Sequence, residues 1–343
     1  MWLEAPAGRK NGWRVENEYE NADALIDEIA DEIATRRLTF EPIRRYEHEE
    51  PTNGKHRILG ILSVKQQVCD YVMALALEPF LDARLGFYQV AGVKGKGSKL
   101  ARSAIRKWSR EPGHHTKLDV RKCYDSITHE LVMKILRKYI ASDDVLYLAE
   151  TLLATYGVGL EIGSFFALLM AQLVLSYAYH FIEGLHKVRR GKRKALVRHQ
   201  LWHLDDLLLV GSDKRDLKMA VKALVKFAKD ELGLTFKAWK IAKNGDIEPL
   251  DIAGYVARNG RVTLRAPLFL RAKRALARFS KCRSLALARR VCSYWGWLKH
   301  SRSKGFIERS GARRLKRLAG AIISKCDKRK AGATCTRHAA QPS

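Results

Sequence analysis

Two adjacent aspartates, Asp205 and Asp206, sit inside a stretch that is otherwise apolar, Leu201-Trp202-His203-Leu204-Asp205-Asp206-Leu207-Leu208-Leu209-Val210-Gly211. The runs on either side have strand character, so the pair is expected at the tip of a β-hairpin. Carboxylates held close to a core are costly unless something binds them, and the usual partner for a bare Asp-Asp is a divalent metal. A second stretch, Lys117-Leu118-Asp119-Val120-Arg121-Lys122-Cys123-Tyr124-Asp125-Ser126-Ile127, reads as a strand ending on an aspartate. One aspartate on one strand and a pair on a hairpin form a donor set suited to metal-assisted phosphoryl chemistry with two ions.

The charge balance points the same way. The 343 residues include 64 Lys and Arg against 36 Asp and Glu, a formal net charge of +28. Solubility does not require that excess. A polyanion is the simplest partner, because phosphate contacts and counterion release favour basic surfaces. The six cysteines (Cys69, Cys123, Cys282, Cys292, Cys326 and Cys335) have no C-x-x-C pairing. Neither zinc spacing nor a disulfide framework is expected. Met1 is followed by polar and charged residues without an apolar signal region, and the most apolar window, Phe165 to Tyr179, is about fifteen residues long and short for a bilayer. A soluble, cytoplasmic chain with no membrane partner is expected.

The periodicity predicts a helix over residues 20–36, with acids in its first turns as the helix dipole favours. Pro42 and the Pro51-Thr52-Asn53-Gly54 turn follow, then a strand over 55–62 and a helix from Gln66 to Leu85. Pro79 inside that helix predicts a kink or break. The glycine-rich loop Gly92-Val93-Lys94-Gly95-Lys96-Gly97-Ser98 lacks the spacing of a phosphate-binding P-loop. Further helices are expected over 100–108, 128–139, 165–179 and 213–232, with a strand starting at Thr235-Phe236-Lys237. The basic segment 187–194 reads as an exposed loop. From residue 266 to 331 the chain turns helical and basic, with twenty Lys and Arg against two acids. Residues 331–343 read as a loose tail.

In this order the elements resemble a bacterial or phage reverse transcriptase from about Lys55 to about His300. Asp119, Tyr124 and Asp125 resemble the family's first catalytic motif, Asp-x-x-x-x-aromatic-Asp. Asp205 and Asp206 resemble its aromatic-x-Asp-Asp motif, with His203 where Tyr or Phe is usual. Gly159-Leu160-Glu161-Ile162-Gly163-Ser164 resembles the Gly-Leu-x-Ile-Gly turn, with Ala167 and Leu168 where Ser and Gln are usual. The resemblance implies an α+β, right-hand polymerase. Its parts are an N-terminal helical extension (1–54), fingers (55–118), a palm of antiparallel sheet backed by helices (119–264), a helical basic thumb (265–330) and a flexible tail (331–343).

By the same resemblance, Asp119, Asp205 and Asp206 are catalytic and hold two Mg²⁺ ions, with Mn²⁺ as a substitute. Arg57, Lys65, Tyr124, Ile162 and Gly163 bind the incoming nucleotide, Lys55 being another candidate. An apolar residue such as Ile162 at its position goes with relaxed base selection. Lys237, Lys240 and Lys243 compete for the role of general acid. His203, Gly254, Tyr255 and Trp297 contact primer or template. The implied reaction is RNA-directed DNA synthesis from deoxynucleotides on an RNA template with a DNA or RNA primer, together with a cognate non-coding RNA. The diversity-generating, retron, phage-defence and unclassified prokaryotic groups are the candidate contexts. Two other readings share the residues: an RNA-binding scaffold with weakened catalysis, favoured by Ala167, Leu168 and His203, and a template-independent polymerase of defence type.

Overall fold

The computed structural model describes residues 22–49, 56–244 and 248–338. The start of the predicted N-terminal extension, the Pro51–Gly54 turn, Lys55 and the end of the tail lie outside the described residues. Two compact units emerge, one from residues 1–101 and 113–243, the other from residues 102–112 and 244–343. Most of the predicted fingers and most of the predicted palm share the first unit, with residues 102–112 and 244–264 in the second.

In chain order the first unit holds α1 (Ala22–Ala34), β1 (Arg44–Glu49), β2 (His56–Ile61), α2 (Val64–Arg84) and the start of α3 (Gly97–Trp108). It continues with β3 (His114–Asp119), α4 (Cys123–Ser126), α5 (His129–Tyr139), α6 (Asp143–Ala154) and α7 (Phe165–Gly184). Then come β4 (His186–Arg189), β5 (Lys192–Ala195), β6 (His199–His203), β7 (Asp206–Gly211), α8 (Lys214–Leu232) and β8 (Ile241–Lys243). Its main sheet has the order β6-β7-β3-β8, antiparallel throughout. The second unit holds the antiparallel sheet β9 (Leu250–Ile252), β10 (Tyr255–Arg258) and β11 (Arg261–Leu264). Helices α9 (Ala266–Lys281), α10 (Leu285–Lys299), α11 (Lys304–Arg309) and α12 (Ala312–His338) complete it.

Helix boundaries follow local chemistry. Ser63, Thr128, Ser142 and Ser164 each cap a helix by accepting from the backbone N–H three residues on, which satisfies one of the amides a helix start leaves without a partner. Gly233, at φ +66°, ends α8 in the left-handed conformation that glycine adopts without strain. Pro79 does not break α2, which runs continuously from Val64 to Arg84. Proline removes the bond to the carbonyl four residues back, here that of Leu75. Leu75 is exposed, so that carbonyl is lost on the solvent side of the helix, where the loss is cheap.

The core centres on α7, which is longer than the apolar window predicts and buries thirteen of its twenty residues. It is long and apolar enough to cross a membrane, yet 72% of that apolar window is buried within the protein. Helix α2 packs along it. Asp70, 2% exposed on α2, anchors the start of α7. Its Oδ2 accepts from Ser164 Oγ at 2.8 Å and from the Phe165 N–H at 2.7 Å. The hydroxyls of Tyr156 and Ser164 lie 2.7 Å apart and complete the network.

Three further expectations change. The basic segment 187–194 is the hairpin β4–β5, closed by Arg190 at φ +50° and Gly191 at φ +72°, the paired positive φ of a tight two-residue turn. Residues 235–237 form no strand; Phe236 makes one isolated bridge to Val120, and the strand lies further on, at β8. The tail from 331 continues α12 as far as His338.

Asp70→Ala leaves the Ser164 hydroxyl and the Phe165 amide without their buried acceptor. It is expected to cost about 3 kcal/mol of stability, read as a lower denaturant midpoint with an unchanged slope; an unchanged midpoint would refute the anchoring role.

Candidate active site at the end of the main sheet

Register brings the aspartates together. Asp119 ends β3 and pairs directly with Asp206, the first residue of β7. Directly opposed residues in an antiparallel pair project from the same face. His203 pairs with Asp206 across the hairpin, leaving Leu204 and Asp205 as the turn. Leu204 takes φ +56°, a left-handed conformation that costs a branched residue about 1 kcal/mol. The tip is tied back to β3 by the Val120 N–H, which donates to the Asp205 carbonyl at 3.0 Å. Behind the carboxylates Leu207, Leu208, Leu209 and Val210 are fully buried, so core packing fixes the strand that carries them.

Two lysines answer the negative charge. Lys237 Nζ lies 2.5 Å from Asp119 Oδ1, and Lys117 Nζ lies 3.0 Å from Asp206 Oδ2. Lys117 stands two residues before Asp119 on β3, hence on the same face, diagonally across from Asp206. The Lys237 N–H also donates to the Asp119 carbonyl at 2.9 Å, so the backbone positions that lysine. Of the three candidate lysines, Lys237 is ion-paired to Asp119. The Lys240 carbonyl instead accepts from Thr116 Oγ1, and Lys243 ends β8.

Asp205 feels the cluster most. Burial, then the Asp206 and Asp119 charges, push its carboxyl above the ordinary aspartate range, against its backbone hydrogen bond and Arg57. Burial, with Asp205 and Asp119 nearby, pushes the Cys123 thiol up to about 12. Tyr124 is likewise raised by burial, then by Cys123 and Asp205, with Arg57 opposing. Its phenol stays neutral. Arg57, on β2, therefore acts electrostatically on both the hairpin tip and the Tyr124 ring.

The turn between α6 and α7 joins these parts. The Leu160 N–H donates to the Tyr124 carbonyl at 2.9 Å, and the Gly60 N–H of β2 donates to the Ile162 carbonyl at 2.8 Å. Gly163, at φ +126°, lies so close to the Gly60 carbonyl that no Cβ fits. Buried Glu161 accepts from Arg45 Nε at 2.9 Å and Nη2 at 2.6 Å. Ile162 and Gly163 are thus held against the strand bearing Arg57. Ala167 is wholly buried, while Leu168 packs towards Gly92, so the positions where the family has Ser and Gln are packing positions here.

Other predicted residues are placed elsewhere. Lys65 is occupied by α1: its Nζ lies 3.0 Å from Glu28 and 2.6 Å from Glu32. Burial opposes its charge, but the two glutamates outweigh burial and raise its pKa. It is a partly buried ion-pair residue joining α2 to α1. In the second unit Tyr255 is 2% exposed and its ring packs 5.1 Å from that of Trp297. Gly254, at φ +79°, abuts the same indole. This Tyr255–Trp297 contact is core packing of the unit, and a buried Tyr255 has no surface to offer primer or template. His203 keeps its place beside Asp206.

Sequence reasoning passed over Lys117, Arg45 and Asp70. The alternation of strand residues, which puts Lys117 and Asp119 on one face, was the available signal for the first. The other two act through contacts 116 and 94 residues away, for which no local pattern exists.

Among the described residues no three His, Cys, Asp or Glu side chains form a ready metal-binding group. The chemistry of the donor set nevertheless fits a hard divalent cation: three carboxylates at one sheet end, Asp205 raised by burial and then by its acidic neighbours, and a buried Asp119 Oδ1 with no hydrogen bond of ordinary geometry. Lys117 and Lys237 supply the positive charge that Asp206 and Asp119 require. Asp119 and Asp205, with Asp206 beside them, would hold the ion.

A carboxyl whose folded pKa is raised stabilises the fold below its unfolded value, and that stability is lost as pH rises through the folded value. Asp205→Asn is therefore expected to melt higher than the native chain at neutral pH in chelator. The two should converge as pH falls below the ordinary aspartate range, near 4. A lower melting point for the variant at neutral pH would contradict this account.

Residues 48–252 match the family described as reverse transcriptase (RNA-dependent DNA polymerase). A Saccharomyces cerevisiae protein named for COX1/OXI3 intron 1 is 23% identical over 181 residues, covering 49% of this chain and 22% of the yeast protein. The chain thus spans about a fifth of that curated relative's length. Similar solved structures include apo telomerase from Candida tropicalis, truncated from the C-terminal domain (TM-score 0.46, 11% identity, 65% of this chain and 54% of that one). Telomerase from Candida albicans with a TWJ fragment of telomeric RNA gives a TM-score of 0.47 at 10% identity, over 88% of this chain and 65% of that one.

Proposed function

The chain belongs to the reverse transcriptase (RNA-dependent DNA polymerase) family, and on that premise we propose that it copies an RNA template into DNA by extending a primer 3′-hydroxyl. The observation that carries the reading is Asp119 directly opposite Asp206, with Asp205 at the adjoining hairpin tip. Like charges are not kept together without a chemical use. Divalent cations bound there, Mg²⁺ or Mn²⁺ and two in number, supply charge neutralisation to the attacking oxygen and the triphosphate.

The chain's own groups do the rest. Arg57 offers a guanidinium suited to triphosphate oxygens, beside Tyr124 and Asp205. The neutral Tyr124 ring, half-buried, is placed to exclude a 2′-hydroxyl. Ile162 and Gly163, held against β2, form the floor for the nascent base pair. Lys237 is the general acid: its ammonium, beside Asp119, gives a proton to the leaving pyrophosphate. His203, next to Asp206, supports the primer end. The net charge of +28 suits an RNA template and a cognate non-coding RNA.

The context we assign is a prokaryotic or phage-related retroelement, on the Gly159–Ser164 turn. Ala167 and Leu168 favour one alternative, a scaffold with weakened catalysis. A template-independent polymerase shares the acids, and product sequence distinguishes it.

Primer extension on RNA with labelled deoxynucleotides tests the proposal. Template-complementary DNA is expected in Mg²⁺ or Mn²⁺. Asp119→Ala and Asp205→Ala should lower it by more than the ~100-fold that loss of a metal's outer contacts costs. Lys237→Ala should slow turnover by about 100-fold while RNA affinity changes little. Tight RNA binding with no product in either metal would establish the scaffold, and product independent of template would establish the third reading.

A further inference from the structure

Within the second unit, five cationic side chains from three separate stretches line one cavity of about 430 Å³. Arg102 and Arg106 lie one turn apart on α3, Arg261 begins β11, and Lys299 and Arg302 flank the end of α10. Among the described residues no Asp or Glu lines the cavity. A run of basic residues along one helix can be merely a solvated face, but convergence from distant parts of the chain needs the fold to hold like charges together.

The fold does so with specific bonds. Arg102 Nη1 donates to the His300 carbonyl at 2.8 Å. The Arg302 N–H donates to the Val262 carbonyl at 2.8 Å, and the Gly260 N–H to Ser109 Oγ at 2.9 Å. These tie the end of α10 and the β10–β11 turn to their neighbours. Arg102 Nε is buried and lacks a hydrogen-bond acceptor among the described residues. A buried guanidinium N–H without an acceptor is costly. The C-terminus of α10 carries about half a negative charge, far short of what five cations require.

We propose that this cavity is a phosphodiester site, seizing the backbone of a bound nucleic-acid strand independently of its sequence. Backbone oxygens satisfy guanidinium groups in pairs and recur along a strand, which suits several arginines around one concavity. The inference rests on the polymerase reading only for the nature of the polyanion, since the cavity is built without the catalytic aspartates.

The test uses the full chain with Arg106→Gln and Arg261→Gln combined, both exposed side chains, leaving the Arg102–His300 bond intact. Lys218→Gln with Lys222→Gln, exposed on α8, gives a control of equal charge change. Fluorescence anisotropy follows binding to a labelled RNA strand and to an RNA–DNA hybrid across a salt series. The cavity variant is expected to bind both probes about tenfold more weakly, with the slope of log affinity against log salt reduced by about two and an unchanged melting temperature. An unchanged slope, or an equal loss in the control pair, would overturn the site. Loss on one RNA sequence alone would also overturn it, because a backbone site reads none. Asp205→Asn separates the two proposals: it should abolish extension and leave the salt slope intact. A chain that fails to extend primers yet shows the slope change keeps the cavity and loses the polymerase reading.

Discussion

Three carboxylates gathered at one end of a sheet are the strain that the first unit has to hold. Two like charges about 4 Å apart repel by about 4 kcal/mol in surroundings typical of a protein surface, so the arrangement persists only if something stronger imposes it. That something is the antiparallel register of β3 with β7, whose Leu207, Leu208, Leu209 and Val210 are buried on both faces of the sheet. The aspartates are carried where hydrophobic packing puts them. Lys117 and Lys237 then offset the charge, one from the same strand and one from the segment bridged to it.

The turn from Gly157 to Ser164 is the joint between this sheet and the β1–β2 hairpin. Within a few residues it is bonded to the Tyr124 carbonyl, to Gly60, to Arg45 and to Asp70. The residues that would frame a nucleotide, Arg57, Tyr124, Ile162 and Gly163, come from segments far apart in the chain, and this turn touches or adjoins each. Its glycines are explained by close approach: at Gly159 and Gly163 a side chain would collide with backbone. Buried polar bonds of this kind specify one geometry because leaving any of them unmade is expensive.

The second unit follows a different logic. Its small sheet and helices are held by ordinary packing, with Tyr255 buried against the half-buried Trp297. Its distinctive surface is cationic. Arginines gathered around a cavity, and one buried N–H left without an acceptor, are the reverse image of the aspartate cluster. Each is a concentration of one sign of charge that the fold sustains and a ligand of the opposite sign would relieve.

Much of this was readable from sequence because the signals were local. The Asp205-Asp206 pair between apolar runs located the hairpin, and strand character ending on Asp119 located its partner. The resemblance also made Lys65 a nucleotide contact and Tyr255 a primer or template contact, whereas the fold pairs the first with two acids and buries the second. Whether a lysine is available depends on which acids a distant helix brings to it, here Glu28 and Glu32. Whether a tyrosine meets solvent depends on what packs over it. The basic run at 187–194 reads as a loop and is a hairpin, because Arg190 and Gly191 adopt positive φ. The chemical inventory, acids for a cation and bases for a polyanion, is a property of composition and short spacing, so the sequence by itself determined it. Which lysine meets Asp119, which arginines share a cavity and which aromatic rings are interior were decided by tertiary structure alone, because those contacts join residues that only packing brings within reach.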